Sequence, residues 1–337
     1  MVINEIKALI GRDSLKERRP EEPSEVQKLQ TNTVNSQASS NPSFETKRQH
    51  PVKTIAVYHN KGGVGKTTTV VNLAAALRKK NKRVLVIDLD SQSNTTYATG
   101  LIKFEDEEFD DIKDCNVRHV LQSEEFYPIQ EVARKSQFSS PEIDVVPCHI
   151  TLMKHENELT QIESSKMMLI EKLKAVAANY DIVILDTPPS FNLFAKIALI
   201  TADYLIIPSD LKPFANQGLS NVKEFIKEIN YFRKLVHNSH LEILGVLACK
   251  ISTNAKFIRY SLSKNIEKVT ERYGFTVMDT VIYQREELSK CIEKSQFVGD
   301  LQIADPRSVF DYKPDGDSAK EFELLAIEVL QKIGMKQ

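Results

Sequence analysis

The chain has 337 residues, enough for one large α/β domain or two ordinary ones, and its 41% hydrophobic and 27% charged residues allow a sizeable globular core. Its 45 Lys and Arg nearly balance 46 Asp and Glu, so a nucleic-acid partner would have to be met by a local patch rather than by overall charge. The four cysteines, Cys115, Cys148, Cys249 and Cys291, are spaced too widely for a zinc knuckle or a redox CxxC, and no apolar run approaches the ~20 residues that cross a bilayer.

In chain order, Val2, Ile3, Ile6, Leu9 and Ile10 share one face of a short helix over 2–11. Acidic Glu5 behind so short an apolar stretch is unlike a signal peptide, so a cytoplasmic location is expected. Residues 12–50 are rich in Ser, Asn, Gln and Glu, with Pro20, Pro23 and Pro42, and read as a disordered linker. The expected boundary therefore divides 1–50 from a single domain over 51–337. From Lys53 onward, apolar segments at 53–58, 83–88, 143–147, 181–186, 203–207 and 242–248 lack polar alternation, as parallel strands covered on both faces do. Helical patterns at 67–79, 165–178, 217–235 and 256–272 lie among them, and 318–333 carries Phe322, Leu325, Val329 and Ile333 at helical spacing. The segment 101–140, with its acidic FEDEEFDDIKD, reads as a surface excursion. The alternation predicts an α/β fold, a doubly wound and mostly parallel sheet flanked by helices.

Residues 60–68, NKGGVGKTT, directly follow the first strand and precede an Ala/Leu-rich helix. Gly62, Gly63 and Gly65 let the backbone curl so that its N–H groups, with those of Val64 and Thr68, converge on phosphate oxygens. Lys66 is expected to supply charge to the β- and γ-phosphates, and the Thr67 hydroxyl suits a Mg²⁺ ligand. Asp88 and Asp90, in VIDLDSQSN, stand at the carboxyl end of a buried strand, the edge where ligands sit in open α/β sheets. Asp186 ends another such strand, in ILDTPPS.

Together these boxes resemble those of the ParA/MinD family of partition and positioning ATPases, whose deviant Walker A loop carries a second lysine where Lys61 stands. The resemblance covers about residues 53–335 and is nearer the ParA/Soj branch. It implies ATP and Mg²⁺ as cofactors and a slow hydrolysis stimulated by a partner. It also implies that Lys61 reaches across a nucleotide-sandwich homodimer, that Asp90 positions the attacking water with help from Asp88, and that Asp186 holds Mg²⁺ through a water. The partners implied are a second copy, a ParB-like cargo adaptor and non-specific DNA, with nucleoid association. Ser91 and Ser93 depart from the Pro and Gly of the family's usual DLDPQGN box, which bears on the stiffness of that loop. Glu287 stands where the family's chromosomal members have a DNA-contacting arginine, leaving Arg285 and Lys290 as substitutes. Members of the MinD branch end in a basic amphipathic membrane anchor. Glu321, Glu323 and Glu328 give the last helix a core-packing character instead, so membrane association is the alternative reading.

Overall fold

Strands that are apolar on every side chain must be covered on both faces, and the computed structural model shows what covers them. It describes residues 52–102, 111–122, 127–162, 164–298 and 301–336. The expected helix over 2–11, the linker over 12–50 and most of the acidic run lie outside the described residues.

The strands are β1 Lys53–Val57, β2 Val84–Asp88, β3 Arg134–Ser136, β4 Ile143–Val146, β5 Ile182–Asp186, β6 Tyr204–Ser209, β7 Glu242–Ile251 and β8 Val277–Tyr283. They form one eight-stranded sheet in the order β3-β4-β2-β5-β1-β6-β7-β8. Pairing is parallel except where β3 lies antiparallel on β4. Val57 and Asp88 both stand opposite Asp186, so β1, β2 and β5 end level and deliver their following loops to one edge. A separate hairpin is formed by β9 Ser295–Val298 and β10 Leu301–Ala304. The described residues up to Phe297 and from Gln302 onward form one compact unit, with Val298 and Leu301 outside it.

The longer helices are α1 Lys66–Lys79, α2 Ser165–Val176, α3 Leu193–Thr201, α4 Pro213–Leu235, α5 over 255–273 and α6 Asp317–Lys332. Alternate strand residues feed opposite faces. Ile55, Val57, Val84 and Val86 pack with α1 and α6, while Ala56, Leu85, Ile87 and Val183 pack with α2, α3 and α4. Two π-helical turns, Ile258–Leu262 and Tyr273 with its four preceding residues, interrupt α5.

Three features differ from the sequence-based expectation. Residues 111–122 and 127–140 are no surface excursion: short helices Val117–Gln122 and Ile129–Val132 bury Val117, Val120, Leu121, Ile129 and Val132 completely in the main core. The acidic run ahead of them masks their apolar spacing of three and four residues. β8 is an edge strand with Met278, Thr280 and Ile282 buried and Asp279 exposed, so it alternates instead of running apolar. Helix α3 is buried on nearly every residue and has no polar face to mark its period.

The last helix packs in the core as expected, with Phe322, Leu325 and Val329 fully buried. Two of its acids face the protein. Glu328 accepts from the backbone N–H groups of Asp279 and Thr280, both at 2.9 Å, and Glu321 accepts from Tyr283 N at 3.1 Å. These carboxylates satisfy donors along the outer border of β8, a border that otherwise invites pairing with another chain.

Candidate functional site

The loop between β1 and α1 turns on two glycines with left-handed backbones, Gly63 at φ +74° and Gly65 at φ +99°. A β-carbon at Gly65 would lie 3.4 Å from Cys249 Cβ, whereas one at Gly62 or Gly63 would meet nothing within 4 Å. The first two glycines therefore keep the approach to the loop open. Val64 is buried, so it serves the loop through its backbone. Lys66, only 7% exposed, directs Nζ to the carbonyls of His59 at 3.4 Å and Lys61 at 3.2 Å. Burial draws its pKa down, and Asp186 and Asp90 act against that. Its hydrogen bonds go to these two carbonyls and to no carboxylate among the described residues, which suits it to an arriving anion.

On the acidic side, Asp186 is fully buried, and its Oδ2 accepts from the hydroxyls of Thr67 at 2.8 Å and Thr95 at 2.6 Å. Its Oδ1 accepts from Thr187 N at 2.9 Å. Asp88 accepts from Asp90 N at 3.1 Å and from the backbone and hydroxyl of Thr96 at 2.9 and 2.7 Å. Burial first, and the charge of Asp186 second, push the Asp88 carboxyl up to about 8. Burial likewise raises Asp186. Two like charges in a dry interior are relieved by a cation. Mg²⁺ is usually held by one or two protein oxygens together with phosphates and water. Thr67 and Asp186 fit that description. Among the described residues no group of three or more His, Cys, Asp or Glu is placed to hold a metal ion. Thr187, just after Asp186, spends its hydroxyl on the Val57 carbonyl at 2.6 Å, tying the ends of β5 and β1 together.

A cleft of about 350 Å³ runs along the loop, lined by Gly62, Gly63, Gly65, Lys66, Thr67 and Thr68 and faced by Asp90, Pro189 and Lys250. A second cavity of about 250 Å³ shares Gly65, Thr68 and Lys250 with it and continues to Thr69, Cys249, Gln284 and Leu288. Asp90 thus faces the cleft, with Oδ1 accepting from Gln92 N at 3.0 Å and its carboxyl raised chiefly by burial. Asp88 is turned inward to brace the same loop. Lys61 points away from the cleft, with Nζ 3.6 Å from Asp210 and 5.0 Å from the Phe214 ring centroid. Ser93, at the position where a glycine was expected, adopts φ +54°, a conformation glycine takes without strain.

The substitutes expected for DNA contact are already paired. Arg285 bridges Asp317 at 3.1 Å and Glu321 at 2.9 Å, and Lys290 pairs with Glu286 at 2.8 Å. Glu287 pairs with Lys313. On α5, by contrast, Lys256, Arg259, Lys264, Lys268 and Arg272 are exposed, and no carboxylate among the described residues pairs with them. His59, Thr95, Thr96 and Asp210 were not singled out from sequence. The two threonines follow the second box directly, but nothing local shows that Thr95 would meet Asp186, 91 residues away.

Left-handed glycines around a buried lysine are what a loop needs when it wraps a phosphate at a helix N-terminus, and this sets the chain among the P-loop nucleotide-binding proteins. The AAA domain family, AAA_31, matches residues 52–243. The sporulation initiation inhibitor protein Soj of Bacillus subtilis (strain 168) is 33% identical over 257 residues, 76% of this chain and 92% of that protein. The chromosome partitioning protein ParA of Caulobacter vibrioides (strain NA1000 / CB15N) is 32% identical over 286 residues, 84% of this chain and 96% of its own. The chain belongs to the ParA/MinD family. In fold it is also similar to cobyrinic acid a,c-diamide synthase from Mycobacterium smegmatis with bound ADP and magnesium, at a TM-score of 0.65 and 22% identity, covering 84% of this chain and 96% of the other.

Proposed function

We propose that this chain is an ATP-driven switch that positions DNA or another large cargo. In this reading it pairs with a second copy when ATP is bound and hydrolyses ATP when an adaptor engages it. The observation that carries the reading is the Thr67 hydroxyl on Asp186 at 2.8 Å, beside a buried Lys66 at the mouth of a glycine loop. ATP with Mg²⁺ would supply the transferable phosphoryl group and neutralise the charge that develops on it.

The remaining roles belong to the chain itself. The loop backbone and Lys66 bind and orient the phosphates, and the cavity beyond Thr68 and Cys249 receives the base. Asp90 faces the cleft at a point where it can orient a water, and Asp88 holds Asp90 in place through its backbone N–H. Lys61 is the group offered to the second copy. Because these parts act only by positioning and charge, turnover without the adaptor should be slow. The similarity to a chromosome partitioning protein of Caulobacter vibrioides supports cargo positioning. The exposed cations of α5, which meet no carboxylate among the described residues, support contact with DNA phosphates through that helix. Residues 1–50 are assigned to a tail outside the ATPase domain, dispensable for nucleotide turnover. The membrane-associated alternative is disfavoured by α6, whose apolar side is buried in the core and not presented outward.

Calorimetric titration with ATP and Mg²⁺ tests the core of this proposal. The wild-type chain should bind, and Lys66→Ala should lose binding. Retained affinity in that variant would sink the P-loop assignment.

A further inference from the structure

The loop carries two lysines, and the fold sends them in opposite directions. Lys66 stays on the loop's own carbonyls, while Lys61 is drawn outward to the segment that follows β6. That segment is built to hold one carboxylate still. Asp210 Oδ1 accepts from Lys212 N at 3.1 Å, Ser209 Oγ accepts from Leu211 N at 3.1 Å, and Asn216 Nδ2 donates to the Leu211 carbonyl at 3.2 Å. Leu211 is fully buried at φ +54°, a backbone that a residue with a β-carbon adopts only when its surroundings enforce it. With Oδ1 engaged, Oδ2 faces the Lys61 ammonium at 3.6 Å, with the more exposed Lys212 ammonium farther off at 4.0 Å.

Lys61 is fixed from its own side as well. Its N–H donates to His59 Nδ1 at 3.0 Å, and its carbonyl accepts from Lys66 Nζ. Helix α4 presses against the same loop: a β-carbon on Gly218 would lie 2.8 Å from Asn60 Oδ1 and 2.9 Å from His59 Cε1. The Lys61 and Asp210 side chains are only 25% and 13% exposed, so water screens the pair incompletely. The Phe214 ring adds a cation–π contact at 5.0 Å, although the residue itself is 73% exposed.

The geometry points to Asp210 as a positioning residue for Lys61: its carboxylate and the Phe214 ring form a seat that keeps the ammonium out of its own cleft, and ATP-dependent pairing of two copies requires Lys61 to leave that seat. This rests on the proposed role of Lys61 toward a second copy. A ligand can shift such an equilibrium only by preferring one state, and here the preferred state is the one in which the ammonium meets the other copy's phosphates. Weakening the seat therefore favours pairing. A partly exposed ion pair holds back release about two- to fivefold per copy, hence about four- to twenty-five-fold in a symmetric pair.

The test uses Asp210→Asn in the full-length chain, since the amide oxygen can still accept from Lys212 N and keep the turn. First, without nucleotide, acetylation by a limiting amine reagent is followed by mass spectrometry, with exposed Lys264 as internal standard. Lys61 should react several-fold faster in Asp210→Asn than in wild type, and Asp210→Glu should restore the slow rate. Equal rates in wild type and Asp210→Asn overturn the seat. Second, sedimentation velocity with a non-hydrolysable ATP analogue should show Asp210→Asn pairing about four- to twenty-five-fold more tightly than wild type. Unchanged or weaker pairing, in a variant whose Lys61 has become reactive, overturns the release step. A wild-type chain that does not pair at all removes the role of Lys61 toward a second copy, while the acetylation rates still decide the seat.

Discussion

At the scale of the residue, the site divides labour among acids that look alike in sequence. Asp90 faces the cleft and Asp88 is consumed by the backbone of its own loop. Asp90→Ala is therefore expected to bind ATP and pair while losing most of its phosphate release, by roughly a hundredfold or more for a group that orients the nucleophile. Lys61→Ala should bind ATP but neither pair stably nor respond to an adaptor, and size-exclusion chromatography with ATP separates the two variants. His59 offers a test by pH. It is fully buried and accepts from Lys61 N, and burial first, then the charge of Lys66, draws its pKa from 6.5 to about 4, with Lys61 adding to the shift and Asp210 opposing it. The folded value lies below the unfolded one. The stabilisation from the neutral ring is thus complete above the unfolded pKa and is lost progressively as pH falls from the unfolded pKa to the folded one. From about pH 7.5 to about pH 5 this should remove about 2 kcal/mol of unfolding free energy. Urea titrations at the two pH values should show that loss shrinking in His59→Gln.

At the scale of the element, the edge strand and the last helix depend on each other. Glu328→Ala would leave the N–H groups of Asp279 and Thr280 without their acceptor, a loss of about 1–3 kcal/mol. Glu323→Ala, on the exposed side of the same helix and paired only with Lys80, should cost within about 0.5 kcal/mol, and denaturant midpoints of the two variants check the contrast. How far such elements can be read in advance follows from where their information lies. The strands covered on both faces announce themselves as apolar runs, and the glycine loop and its carboxylates lie in unbroken local boxes. β8 could not be read that way, because one side of it is wet and its edge donors are met by carboxylates some 40 to 50 residues further on. Asp210 and Thr95 were hidden for the same reason. Each matters through a partner far along the chain, and local spacing carries no trace of that meeting.

At the scale of the whole molecule, near-neutral overall charge makes local patches decide what the protein can touch. If α5 carries the DNA contact, affinity should fall with salt at about 0.9 log units per log unit for each phosphate neutralised. Reversing Lys264 and Lys268 to Glu should flatten that slope and weaken binding. Arg285→Glu should instead lower stability, since this arginine is bound to Asp317 and Glu321. A filter-binding salt series on Asp90→Ala with ATP distinguishes these outcomes, and no binding at low salt would point to a matrix other than DNA. The borders of the sheet bear on what happens when many copies collect on one cargo. β3 is three residues long, and the outer border of β8 is met by the carboxylates of Glu321 and Glu328. Among the described residues neither border of the eight-stranded sheet presents a long row of free backbone groups, so pairing of neighbouring molecules through these borders is disfavoured. If copies gather on a cargo as proposed, a focus would stay a crowd of separable units and disperse as quickly as its individual contacts are released.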